Sequence, residues 1–167
     1  MLRVPISRHF IKRTIRPLYG WAQATPKSVF LDPAFDRSVK VWPGMVMMKT
    51  LGDNVSLVNA TTSVPYGLSA LYVGGDGVDE VLDAGINAFA VWVLAPDAEF
   101  EILAPAFDTA ATWTDPGDGT ETLLYAGTTG ANAGKLVPAG TTGATTQPVA
   151  RLLKVNSATK ITIGGLR

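Results

Sequence analysis

Residues 87–103 read NAFAVWVLAPDAEFEIL, and the fold is decided in this stretch. Asn87–Leu94 is a short run of apolar side chains, several of them aromatic or β-branched. Ala95-Pro96-Asp97-Ala98 supplies a turn. In Glu99–Leu103, Phe100 and Ile102 alternate with Glu99 and Glu101. Alternation with period two sends successive side chains to opposite faces, so this segment is a strand with one wet face.

The same texture extends in both directions. Val39–Val41 leads into Trp42-Pro43-Gly44, a turn signal. Met45–Thr50 and Asn54–Asn59 flank Leu51-Gly52-Asp53-Asn54, a hairpin-type connection. Val64-Pro65-Tyr66-Gly67 precedes Leu68–Val73, which Gly74-Gly75-Asp76-Gly77 closes. Further on, Ala110–Tyr125 turns at Asp115-Pro116-Gly117-Asp118-Gly119, and Val149–Val155 and Lys160–Ile163 end the series. Eight to ten short strands and no long helix predict an all-β body over residues 41–167, a compact β-barrel or sandwich. Within it, residues 127–146 (GTTGANAGKLVPAGTTGATT) read as a flexible Gly/Thr-rich surface loop.

Charge is segregated along the chain. Residues 1–50 carry nine Lys/Arg against Asp32 and Asp36, and residues 51–150 carry twelve Asp/Glu against Lys135 alone. The last seventeen residues hold Arg151, Lys154, Lys160 and Arg167 with no acid, so a net charge of zero conceals a basic start, an acidic middle and a basic end. Such polarity favours docking on a complementary surface.

Residues 1–40 are predicted to be a long extended basic N-terminal arm. Prolines at 5, 17, 26 and 33 oppose a helix. Cations interleaved with apolar side chains, in a segment too thin to enclose a core, call for a foreign surface. The candidate partner-binding residues are Arg3, Arg8, Phe10, Ile11, Lys12, Arg13, Ile15, Arg16, Trp21 and Phe30, with Trp42 just beyond the arm.

Other chemistries find little support. Cysteine is absent, which excludes disulfides and thiolate–metal sites. No uninterrupted apolar run approaches the ~18 residues of a membrane helix, and no membrane association is expected. His9 is the one histidine and lies in the arm, away from the pocket and orienting partners that catalysis needs. The acidic run Asp76, Asp79, Glu80 and Asp83 lacks EF-hand spacing and reads as a solvated turn. Glu99 and Glu101 read as the wet face of their strand. Gly74-Gly75-Asp76-Gly77 is followed by no phosphate-binding Lys-[Ser/Thr]. The arm's cations and aromatics would suit nucleic acid, but an acidic body repels a phosphate backbone. No enzyme activity, cofactor or metal is expected.

The stretch Trp42–Val73 (WPGMVMMKTLGDNVSLVNATTSVPYGLSALYV), together with residues 87–103, resembles the β-rich head decoration (cement) proteins of tailed bacteriophages. In that resemblance NAFAVWVLAPDAEFEIL matches the family's following hairpin. The resemblance implies a structural virion protein on the outer surface of the capsid, binding major capsid protein subunits and bridging them. It also implies a homo-oligomer, with a trimer favoured, and no catalytic residues. The long basic arm departs from the smallest members. Two other readings fit the residues: a tail or head–tail adaptor component, and a module binding glycans or cell-surface ligands.

Overall fold

The computed structural model describes residues 13–19, 26–74, 88–117 and 121–166. Among them eleven strands appear: β1 (Ile15–Tyr19), β2 (Pro26–Leu31), β3 (Val46–Lys49), β4 (Asn54–Leu57), β5 (Pro65–Ser69), β6 (Ala88–Trp92), β7 (Glu99–Leu103), β8 (Thr122–Ala126), β9 (Leu136–Pro138), β10 (Ala150–Ser157) and β11 (Lys160–Gly164). The chain is all-β, as its texture predicts.

Five strands close a barrel in the order β2-β4-β3-β5-β6, with β6 returning to β2. Only β2 and β4 run parallel; the other neighbours are antiparallel. The predicted hairpin at residues 51–54 is present, with Met47 opposite Leu57 and Lys49 opposite Val55. Gly52 takes the left-handed conformation (φ +67°) that this turn requires. The other six strands form an antiparallel sheet, β1-β7-β11-β10-β8-β9. Its inner face, with Ile15, Phe100, Ile102, Ile161, Ile163 and Leu124, joins the barrel's Val29, Leu31, Met47, Val55 and Leu68 in one buried cluster.

The strands at 88–92 and 99–103 both exist, but they are not a hairpin. β6 belongs to the barrel and β7 to the sheet. The Ala95–Ala98 turn, closed by an Ala98 N–H bond to the Ala95 carbonyl at 3.0 Å, carries the chain between them. Trp92 and Phe100 meet across the junction with ring centroids 5.3 Å apart.

The predicted division at residue 40 also moves. β1 lies on the sheet edge against β7, pairing Ile15 with Ile102 and Arg16 with Glu101. β2 is a full member of the barrel, with Val29 and Leu31 buried and Phe30 facing out. The prolines that suggested an arm sit where a sheet accepts them. Pro17 is on an edge strand and Pro26 is the first residue of its strand, so neither removes a needed ladder donor.

Residues 127–146 are built into the body rather than looping over it. They contain β9, a short 3-10 turn at Gly130–Asn132 and a bridge from Gly127 to Ala144. Thr128 Oγ1 donates to the Gly143 carbonyl at 2.6 Å, and Thr145 Oγ1 donates to the Gln147 carbonyl at 2.9 Å. Gly134 (φ +75°) lies so close to Leu57 that a Cβ would fall into that side chain. Its carbonyl accepts from Val46 N–H at 2.7 Å, tying the segment to the barrel. Small residues are used here because the backbone must approach the barrel closely.

Candidate partner-docking surface

Six of the residues predicted to touch a partner, Arg3, Arg8, Phe10, Ile11, Lys12 and Trp21, fall outside the described residues, as does His9. The other five are placed. Arg13 is exposed just before β1. Ile15 is 6% exposed and belongs to the protein's own core. Arg16 pairs with Glu101, its Nη2 lying 3.1 Å from Oε1. Trp42 is half-buried and packs on Tyr72, with ring centroids 4.9 Å apart. Phe30, 47% exposed, offers a large apolar surface to solvent.

Phe30 stands beside a second apolar side chain that the sequence reading passed over. Its N–H donates to the Asp53 carbonyl at 3.1 Å, and it pairs with Asn54, so it flanks the β3–β4 turn. Leu51, on that turn, is 85% exposed. Lys49, at the base of the turn, reaches Asp53 at 3.7 Å and sits 4.9 Å from the centre of the Tyr66 ring. Val64, two residues before Tyr66, is 58% exposed. An aliphatic residue inside a polar turn, as in Leu51-Gly52-Asp53-Asn54, was the available signal.

Two carboxylates stiffen the loop that follows Phe30. Asp32 is held below the ordinary carboxylate value of 3.8 by a hydrogen bond from the Thr50 side chain and by the Ala34 N–H. Asp36 is held below it by the Ser38 hydroxyl at 2.7 Å and then by the Ser38 N–H at 2.9 Å. All four bonds favour the charged form.

The other acids support the fold. Asp108 accepts from Ala110 N–H at 2.9 Å and from Asn132 Nδ2 at 2.8 Å. Asp115 accepts from Val155 N–H, standing in for a neighbouring strand beside β10. Glu101 is not the wet carboxylate that alternation suggests. It is 7% exposed, enclosed between Arg16 and Lys160 on the outer face of the sheet. Among the described residues the acids thus order turns and edges, and Phe30, Leu51 and Val64 stand exposed, as do Tyr19 on β1 and Val39.

The family model for phage cement protein matches residues 1–167, the whole chain. The chain belongs to the phage cement protein family. No curated protein and no solved structure matches it. As a cement-family member it is a structural virion protein associated with the capsid. The β-barrel and adjoining sheet are the framework on which this cement-family chain displays its rim.

Proposed function

We propose that this chain binds the outer surface of a phage head and stabilises it by bridging neighbouring major capsid protein subunits, acting as a homo-oligomer, with a trimer favoured. The whole-chain family match carries the reading. The rim of Phe30, Leu51 and Val64 supports it, because these side chains are displayed on a rigid barrel end and not tucked inward. Burying their remaining exposed area is worth roughly 3–5 kcal/mol, at about 1.5–3 kcal/mol for a fully buried apolar side chain. Association costs on the order of 4–15 kcal/mol, so one rim is marginal alone. Repeated copies on a closed shell, or the basic residues before β1, supply the remainder.

Residues 1–12 precede the described β1. Twelve residues can reach at most about 40 Å. Arg3, Arg8, Phe10, Ile11 and Lys12 are proposed as partner contacts among them. The test is a cryo-EM difference map between heads with and without the protein. Density on the outside of the shell, touching two adjacent capsid subunits per copy, is the expected result. Density confined to the tail or the portal vertex would contradict the proposal.

A further inference from the structure

Cross-strand pairing arranges the outer face of the six-stranded sheet in rows. Tyr19, Glu99, Gly164 and Arg151 lie in one row across β1, β7, β11 and β10, and Arg16, Glu101, Thr162 and Lys154 lie in the next. Lys160, opposite Leu103, belongs to a third. Opposed residues share a face of a sheet. The alternate positions Phe100, Ile102, Ile161 and Ile163 are buried in the shared core, so these rows point away from the barrel. They hold Arg16, Arg151, Lys154 and Lys160 against Glu99 and Glu101, an excess of positive charge.

Most of these cations are held in place. Glu101, 7% exposed, takes Arg16 at 3.1 Å and Lys160 at 3.4 Å, so one carboxylate answers two cations and the trio stays positive. Arg151 donates from Nε to the Gly165 carbonyl at 2.8 Å and from Nη2 to the Pro96 carbonyl at 3.3 Å. Neutral acceptors fix its guanidinium without cancelling the charge. Its Nε lies 3.3 Å from where a Cβ on Gly164 would stand, so the side chain is laid across a bare position of the sheet. Long side chains ordered beforehand cost a binding partner less entropy. Lys154 is exposed beside them, and Tyr19, 75% exposed, stands at the β1 margin of the face. Tyrosine and arginine are side chains that protein interfaces favour.

The edge and the charge together select the partner. Pro17 lacks an N–H, and the register shifts between Pro17 and Tyr19, two devices that blunt a sheet edge against an added strand. Contact therefore falls to the face. Two copies meeting through this same face would oppose like charges. A phosphate backbone calls for a denser cluster of Lys and Arg than these rows hold. A few carboxylates on a different protein match them.

We propose that the outer sheet face is a second docking surface, separate from the rim of Phe30, Leu51 and Val64, and that it receives an acidic patch of the major capsid protein. Carboxylates of that patch face Arg16, Lys154 and Lys160, and Tyr19 packs at the margin. The inference rests on the head-binding reading above. It gives each copy two contacts of different chemistry, apolar at the barrel end and ionic on the sheet, as spanning two subunits requires.

The experiment decorates heads with an equal mixture of ¹⁴N- and ¹⁵N-labelled full chain and adds a carbodiimide, which joins a lysine amine to a touching carboxylate. Mass spectrometry then maps the amide links. Links from Lys154 to Asp or Glu of the major capsid protein are expected. Lys154→Glu, with Tm near wild type, should weaken head binding about tenfold, and the loss should shrink in high salt. Lys154→Arg, which keeps the charge, should bind as wild type does. Absence of a capsid link from Lys154, or a folded Lys154→Glu that binds like wild type, overturns the proposal and leaves head binding intact. Mixed-label links from Lys154 to acids of another copy overturn it in favour of a copy–copy contact. Duplex DNA binding that Lys154→Glu abolishes overturns it in favour of nucleic acid. Protein that fails to occupy heads overturns the functional reading and this inference together.

Discussion

Arg16 Nη2 and Glu101 Oε1 lie 3.1 Å apart across the β1–β7 pair, while Lys160 reaches the other carboxylate oxygen of Glu101 at 3.4 Å from β11. Three adjacent strands are thereby joined on the outer face of the sheet. Both cations remain partly exposed, so each pair is screened and modest in value. Glu101→Gln should cost about 1 kcal/mol and lower Tm by about 2–4 °C, measured by calorimetry. In 1 M salt, where the Debye length is about 3 Å, the gap to wild type should shrink. A Tm difference that ignores salt would mean the pairing does not contribute as charge.

Ile15 tests whether β1 belongs to the body. It is a buried member of the shared cluster, so Ile15→Ala should destabilise by roughly 2–4 kcal/mol in urea unfolding. Removal of residues 1–12 should leave the unfolding midpoint unchanged, whereas removal of 1–19 should lower it. An Ile15→Ala midpoint equal to wild type would return β1 to the status of a loose arm.

Gly134 and Gly140 both have positive φ, at +75° and +82°, yet only Gly134 has a neighbour within 4 Å of a built Cβ. Alanine at Gly140 meets the left-handed penalty alone, about 1 kcal/mol. Alanine at Gly134 adds a clash with Leu57 and should cost roughly 2–4 kcal/mol. Equal losses in the two variants would show that residues 127–146 are not pressed against the barrel.

Acid should release the loop after β2 only at low pH. The folded-state values of Asp32 and Asp36 both lie below the ordinary 3.8. Depressed carboxylates stabilise the folded loop above the unfolded value, and that contribution is lost as pH falls through the folded value, here below 3.8. NMR titration should place both midpoints below 3.8, and Thr50→Ala should raise the Asp32 midpoint alone. An unmoved Asp32 midpoint would remove Thr50 as the cause.

The legible and illegible parts of this chain divide on physical grounds. Local turn chemistry exposed the 51–54 hairpin, because Gly52 needs no tertiary context to adopt positive φ. Alternation marked β7 and its buried Phe100 and Ile102. Pairing partners were not legible, so the strands on either side of Ala95–Ala98 look like a hairpin although they enter different sheets. Prolines misled for a similar reason. Their cost depends on whether the neighbouring edge is occupied, and Pro17 and Pro26 sit where no donor is wanted. Low complexity at 127–146 reflected close approach to Leu57, a reason invisible without the barrel. At the candidate site, Phe30 was legible only as an aromatic of the basic arm, whereas Leu51 and Val64 were hidden within turn segments.

Capsid stabilisation should be read in the temperature at which DNA-filled heads rupture. Heads lacking this protein should burst at a lower temperature, and adding it back should restore the wild-type value. A folded Phe30→Asp/Leu51→Asp variant should bind at least tenfold more weakly and restore little at the same concentration. Heads that rupture at one temperature whether or not the protein is bound would contradict its role as a capsid stabiliser.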